Sequence, residues 1–283
     1  MSISFPGLDR RAFVAGLGST ALLAAGIVLG SRNLANYDPL LLTYTFGTLF
    51  AAFAVVYRTA VWMQRPPTWT YLRRAWKSLR AGGMTAKLGF VTRQAAVHLG
   101  AQSFIRNRGF MRWFIHLLIA WGSMLAGAVT FPLVFGWLTF ETPSADPELY
   151  QVMLFGFKVG QFHTASPLRF VMFNLLNIAA IMVTTGTLLS LHRRLRDAGA
   201  RARQQFGNDL VPLLLLLAIS LTGLMLTFSM HALGGAGYPV LSLVHAVTVT
   251  VTLLYIPFGK FFHIVQRPAH LAVMLYRREG ASG

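Results

Sequence analysis

Two histidines in the last part of the sequence, His245 and His263, have a spacing that could place two metal ligands on one helix face. They lie in a single apolar run and are 18 residues apart, which is about five turns of an α-helix. Both rings would leave the same face, roughly 27 Å apart along the axis. Because imidazole is an axial ligand of haem iron, this spacing favours two stacked cofactors.

The elements that would carry these ligands are six apolar runs, each long enough to cross ~30 Å of hydrocarbon as a helix. Hydrophobic residues make up 55% of the sequence and charged residues only 12%, against about 25% charged in soluble proteins. No segment alternates as a barrel strand would. The sequence therefore predicts an all-α membrane protein with six transmembrane helices. We place them at residues 12–30, 40–63, 111–137, 169–191, 208–230 and 241–264.

Basic residues are concentrated in alternate connections, which predicts how the helices are oriented. The stretch 64–112 contains ten basic residues and no acidic one, whereas the loop 138–167 contains three acidic residues and one lysine. By the positive-inside rule, both termini and the basic connections are expected in the cytoplasm of a bacterial inner membrane, with the acidic loop outside. Because the net charge of +17 has this explanation, we expect no nucleic-acid partner.

His116 is the candidate partner of His263 in an inner site. The third run enters from the cytoplasm near Phe110, so His116 lies about 9 Å along that helix. His263 lies near the cytoplasmic end of the sixth run, and the two histidines are therefore expected in the same leaflet. We predict that they hold one haem b as axial ligands. Small residues that follow on the third run, beginning with Gly122, could admit a flat macrocycle or a close helix.

The sixth run also resembles a known family. The segment from His245 to Ile264, with its Pro-Phe-x-basic-x-x-His-Ile ending, is similar to the last helix of the cytochrome b (gamma) subunit of respiratory nitrate reductases. That helix has two haem-ligating histidines with the same spacing. The segment 114–122 is similar to the family's first ligand helix, and to membrane cytochromes b of heterodisulfide-reductase-like and sulfite-reduction-associated complexes. The resemblance implies a five-helix haem b bundle at residues 38–63 and 111–265, with residues 1–37 as an extra N-terminal transmembrane helix.

The sequence departs from this family at one position. The nitrate reductase subunit has a second histidine ten residues after the first on its first ligand helix, whereas this chain has Ala126. The outer haem at His245 therefore lacks its expected partner. His231, at the outer end of the fifth run, and His163, in the outer loop, are the available substitutes. A single haem and a five-coordinate outer haem are the alternatives.

Haem propionates and a quinone would both need polar groups near the membrane faces. Lys260 and Arg112, each within four residues of an inner ligand, are candidates for the inner propionates, and Arg169 for the outer ones. It is an equal interpretation that these three side chains extend towards the aqueous interface and bind no cofactor. The polar residues considered for a quinone site are Lys158, Ser242 and His163.

The basic segment 64–110 is the longest connection between apolar runs. Apolar residues at helical spacing predict an amphipathic helix, followed by a break at Gly82-Gly83 and a second helical stretch. The four residues that carry this pattern are Trp69, Leu72, Trp76 and Leu79. The segment could lie against lipid headgroups, dock a cytoplasmic subunit, or do both. Because the sequence has no cysteine, an iron–sulfur cluster would have to belong to that partner.

These observations predict a membrane cytochrome b subunit, the quinone-reactive electron-transfer part of an oxidoreductase complex. It would pass electrons between the quinone pool and a cytoplasmic iron–sulfur or molybdopterin subunit, in either direction. No nucleophile or acid–base constellation, P-loop or dinucleotide motif occurs. The alternatives are a membrane transporter, although we find no inverted repeat, and a haem-free membrane anchor, which would leave the histidine spacing unexplained.

Overall fold

The computed structural model describes residues 9–80, 84–197, 199, 202, 205–263 and 266. The chain forms two compact units. The first consists of Met1–Thr20, Ala51–Trp113 and Ile256–Gly283, as far as these are described, and the second consists of Ala21–Phe50 and Phe114–Tyr255.

Nine α-helices occur in the described part of the chain, and six of them are long and apolar enough to cross a membrane. Short turns of 3-10 or π geometry form the first residues of two of these spans, at Pro39–Leu41 and Phe206–Leu210. The prediction of an all-α membrane protein is confirmed. The helices are α1 (Arg10–Gly30), α2 (Leu42–Met63), α3 (Pro66–Arg80), α4 (Met84–Ala95), α5 (Ser103–Arg106), α6 (Phe110–Val134), α7 (Pro167–Arg196), α8 (Val211–Ala232) and α9 (Tyr238–Tyr255).

Side-chain oxygens cap the first turns of two spans. Asp9 accepts a hydrogen bond from the backbone N–H of Ala12 at 2.9 Å, and this bond holds the pKa of the Asp9 carboxyl below its ordinary value. Ser166 accepts from the N–H of Leu168, and Pro167 occupies the first helical position. Both arrangements satisfy N–H groups that a helix start leaves without partners, so both helix starts are fixed locally.

The predicted amphipathic helix is confirmed as α3. Trp69 and Trp76 are 52% and 57% exposed, and Arg73, Arg74 and Lys77 are also exposed. The second helical stretch is present as α4, a π-helical turn and α5. The predicted break at Gly82-Gly83 lies outside the described residues.

The sixth apolar run does not form one helix. α9 ends at Tyr255 and is followed by a turn at 256–259 and a 3-10 turn, Lys260–Phe262. Pro257 has no N–H to donate, and it disfavours helical backbone in the residue before it. The prediction of a continuous helix over 241–264 is therefore wrong, and so is the five-turn argument that placed His245 and His263 on one face.

Arg58 of α2 binds the turn that follows this break. Its guanidinium Nη1 donates to the carbonyl oxygen of Pro257, and its Cζ lies 4.3 Å from the centroid of the Phe262 ring. A helix end leaves carbonyl groups without intrahelical partners, and the ring face attracts the cation. These contacts give the guanidinium a hydrogen-bond acceptor and a ring face, while the side chain of Arg58 stays exposed.

Residues 138–163, predicted as a loop, form a three-stranded antiparallel sheet in the second unit. Phe155 and Gly156 connect its second and third strands with φ angles of 52° and 81°, and positive φ at both positions is what tight two-residue hairpins favour. The order is β1-β2-β3. The strands are β1 (Leu138–Glu141), β2 (Leu149–Leu154) and β3 (Phe157–His163).

An aromatic cluster joins this sheet to the first turns of α7. The ring of Phe173 lies 5.0 Å from Phe140, 5.5 Å from Tyr150 and 6.5 Å from Phe162, measured between centroids. One residue from each strand therefore contacts the same helix. Tilted and edge-to-face ring pairs at these distances stabilise a fold beyond what their buried area contributes. The aromatic cluster therefore anchors the sheet to α7.

Helices α6 and α7 approach closely at two glycines. A Cβ added at Gly122 would lie 2.8 Å from Cγ2 of Val183 and 3.0 Å from the carbonyl oxygen of Ala179. One added at Gly186 would lie 2.7 Å from Cγ1 of Ile119. Of the two uses considered for Gly122, a macrocycle or a close helix, the structure shows the close helix.

Gly122→Ala is expected to lower the thermal unfolding temperature of the detergent-purified protein. Its methyl group would overlap the facing helix, and such overpacking costs about 1–3 kcal/mol. Gly127→Ala on the same helix is the matched control, because its Cβ would meet only the Phe131 ring at 3.6 Å and the gain in helix propensity is the same. Equal unfolding temperatures for the two variants would contradict the close packing.

Candidate functional site

His245 is half-buried on α9, and a neighbouring helix fixes its ring. Its Nδ1 lies 2.8 Å from Oγ1 of Thr222 on α8. The Thr222 hydroxyl donates to the carbonyl oxygen of Ala218 at 2.7 Å, so its oxygen is left to accept a hydrogen bond from His245. This network assigns the proton to Nδ1 and leaves the lone pair on Nε2 available.

This arrangement is the one that a metal-ligating histidine commonly has. Such a residue binds the metal through one ring nitrogen and donates the other N–H to a protein acceptor, which sets the tautomer and the ring orientation. Within the described ranges, no protein group hydrogen-bonds Nε2 of His245. The ring packs against α8 at Gly223, where an added Cβ would lie 3.5 Å from Cε1, in ordinary van der Waals contact. The donor set at His245 therefore fits an axial ligand of haem.

The described residues offer no site for a metal ion without a porphyrin. Among the described residues there is no group of three or more His, Cys, Asp or Glu side chains that could hold an ion. Haem does not require one, because the porphyrin supplies its own nitrogens and the protein adds only axial ligands.

The residues predicted around an inner haem are distributed over both units. His116 is half-buried on α6 in the second unit, and His263 is half-buried after the 3-10 turn in the first. Their pairing rests on the sequence and stays a prediction. Arg112 is exposed in the first turn of α6, and the side chain of Lys260 lies outside the described residues.

His163 ends strand β3 with both ring nitrogens hydrogen-bonded. Nδ1 accepts from the backbone N–H of Ala165 at 3.1 Å, which leaves Nε2 to donate to Oε2 of Glu148 at 3.0 Å. These bonds tie the end of β3 to the residues before β2 and after β3. To serve as the second ligand of the outer haem, His163 would have to give up one of them.

The two other polar residues considered for a quinone also have local partners. Nζ of Lys158 donates to Oε1 of Gln161 at 2.6 Å, and Oγ of Ser242 donates to the carbonyl oxygen of Pro239 at 2.8 Å. Neither residue lines the cleft of about 950 Å³ between the sheet and α7.

Arg169 and His231 do come together, in a cleft of about 950 Å³ where the sheet meets α7. Arg169 lies in the first turn of α7 and His231 in the last turn of α8, and both side chains are exposed. Tyr238, the first residue of α9, lines the same cleft. The sequence had assigned Arg169 and His231 to an outer haem separately, and the structure shows that they share one cavity.

A chain of polar side chains in this cleft was missed by the sequence analysis. Thr227 donates to Oδ1 of Asn177 at 2.9 Å, Asn177 donates to Oδ1 of Asn174 at 3.0 Å, and Asn174 donates to the carbonyl oxygen of Phe170 at 2.9 Å. The available signal was two asparagines three residues apart in an apolar run, since this spacing places side chains on one helix face. Arg58 was missed too, although a charge within a span indicates a specific role.

Comparison with protein-family models, with curated proteins and with solved structures finds no match to this chain. Its function therefore has to be argued from the side chains themselves.

Proposed function

We propose that this chain is a membrane cytochrome b subunit that exchanges electrons with quinone in the bilayer and with a soluble redox partner. The observation that carries the proposal is the ring of His245, which Thr222 orients with Nε2 available. An ionisable side chain inside a membrane span indicates a functional site. A hydrogen bond that fixes its tautomer is what an axial ligand requires.

Haem b would supply the redox chemistry, while the chain supplies ligands, low dielectric and orientation. His245 is the ligand that the structure supports, and His116 and His263 are the further ligands that the sequence proposes. The family resemblance of the segment 245–264 also supports this assignment. One or two haems per chain are compatible with these three histidines.

The partner and the orientation follow from the distribution of charge. The exposed arginines and lysine of α3 belong to the stretch 64–112, which contains ten basic residues and no acidic one. We propose that this stretch lies on the cytoplasmic side of a bacterial inner membrane, as do both termini. There it would dock an iron–sulfur or molybdopterin subunit, because this chain has no cysteine to hold a cluster.

Visible absorption of the detergent-purified protein, produced in haem-sufficient cells, is the decisive test. We expect b-type bands that sharpen on reduction with dithionite, and one or two haems per chain by quantitative absorption of the extracted haem. Circular dichroism of the same sample provides the control for folded protein. A colourless but folded preparation would overturn the proposal and would favour a haem-free anchor or a transporter.

A further inference from the structure

The cleft that contains Arg169 and His231 has the size of a small-molecule site and a lining of one charge type. Its volume is about 950 Å³, within the range of known ligand pockets. Among the described residues, none of those that line it is acidic. An arginine is always charged at physiological pH, so a ligand that enters the cleft meets the positive charge of Arg169.

The uncharged polar residues of the lining add hydrogen-bond donors. Asn174 and Asn177 each use one amide N–H inside the chain of side chains that Thr227 begins. Each amide group has a second N–H. The carbonyl oxygens of both asparagines are already occupied by donors. The two asparagines therefore offer hydrogen-bond donors inside the cleft, which suits a ligand whose oxygens accept hydrogen bonds.

Apolar side chains beside the cleft favour a ligand that also has hydrocarbon. Phe170 and Met230 line it and are 69% and 55% exposed, and they belong to the membrane-spanning helices α7 and α8. Tyr238, at the start of α9, adds an amphipathic ring of the kind enriched at membrane interfaces. The cleft thus combines the cationic side chain of Arg169 with an apolar surface that continues along α7 and α8.

We propose that this cleft binds the phosphate headgroup of an anionic phospholipid. Arg169 pairs with a phosphate oxygen, the free N–H groups of Asn174 and Asn177 donate to the headgroup, and an acyl chain follows Phe170 and Met230 along the helices. Charge favours this ligand over a neutral carbonyl compound, because only an anion can form an ion pair with the guanidinium. The bound lipid would hold α7, α8 and α9 together at the end that carries the sheet.

The test measures phospholipid that stays bound to the full-length protein through extensive detergent washing, by native mass spectrometry. We expect about one phosphatidylglycerol per chain in the wild type, and about tenfold less in Arg169→Gln, because one charge-assisted contact is lost. Arg32→Gln, at an exposed arginine of the same unit outside the cleft, is the control and should retain the lipid. Arg169→Lys keeps the charge and should retain an intermediate amount.

A second measurement compares ligands by the unfolding temperature of wild-type protein, because a ligand of the native state raises it. Phosphatidylglycerol should raise it more than phosphatidylcholine does, and inorganic phosphate should not displace the bound lipid. Displacement by inorganic phosphate would assign the cleft to a free anion and overturn the lipid proposal. Equal lipid loss in Arg32→Gln, or a co-purifying quinone lost in Arg169→Gln, would also overturn it.

Discussion

The His245→Ala variant is expected to lose a haem from the purified protein while still inserting into the membrane. Removing an axial ligand opens a coordination position on the iron, which either becomes high-spin or leaves the site. The measurement is haem per chain by quantitative absorption, together with electron paramagnetic resonance for the spin state. His116→Ala and His263→Ala provide the comparison, since the sequence predicts that both remove the inner haem and leave the outer one. If His245→Ala keeps wild-type haem content and a low-spin spectrum, His245 is not a ligand.

Two substitutions at Thr222 separate the loss of a ligand from the loss of its orientation. Thr222→Val keeps the shape of the side chain but leaves Nδ1 of His245 without its acceptor. Loss of such a supporting contact typically weakens cofactor or metal affinity by about 10–100-fold, so this variant should lose haem more readily than the wild type. Thr222→Ser retains the hydroxyl and is the matched control. Equal haem retention in the two variants would show that the hydrogen bond does not support the ligand.

If the proposed cytoplasmic redox subunits dock on the basic segment, charge reversal there is expected to abolish their co-purification. The triple variant Arg73→Glu, Lys77→Glu, Arg93→Glu changes three exposed side chains of α3 and α4. Each contact with an acidic partner surface would then join two negative charges and become repulsive. Haem content should stay at the wild-type level, because these residues lie outside the spans. Quinol should then reduce the haem without onward electron transfer.

The matched control for this variant keeps every charge in place. Arg73→Lys, Lys77→Arg, Arg93→Lys should retain the partner subunits if charge, rather than side-chain geometry, is what they recognise. Anionic lipid headgroups compete for the same residues at about 1 kcal/mol each, so membrane attachment is measured separately by sedimentation. If the reversed variant keeps its partners and full electron transfer, the segment is a lipid-facing collar and docking occurs elsewhere.

The spans and the amphipathic helix could be predicted from the sequence because each depends on local composition. The first five spans start within two residues of the predicted positions, since the thickness of the bilayer sets the length of an apolar helix. The spacing of Trp69 and Trp76 located α3 for a similar reason, because a helix with one apolar face has a fixed period. Both signals are present before any long-range contact forms.

Two parts of the fold were predicted incorrectly because a stronger pattern concealed a local signal. Apolar residues continue past Pro257, so hydropathy extended the sixth run beyond the residue that ends its helix. The strands β1 to β3 are short, and the acidic residues between them favoured a loop. Phe155-Gly156 was the available turn signal, with apolar and aromatic residues on either side of it.

The contacts of the candidate site could not be predicted from the sequence, even where its residues could. His245 was identified from its position in an apolar run, but its hydrogen bond to Thr222 depends on how α8 and α9 are rotated against each other. The same holds for Thr227 and Asn177, which lie 50 residues apart and on different helices. Packing of complete helices sets these rotations, and single-sequence periodicity does not contain them.

The contact between Arg58 and Pro257 imposes a sequence of events on the biosynthesis of this protein. The two residues are 199 positions apart, so at about 5–20 residues per second the ribosome adds Pro257 roughly 10–40 s after Arg58. During that interval the exposed guanidinium of Arg58 has only water and lipid headgroups as partners, because its acceptor in the folded protein has not yet been made. The hydrogen bond between the second span and the turn at 256–259 can therefore form only after residue 257 has been synthesised.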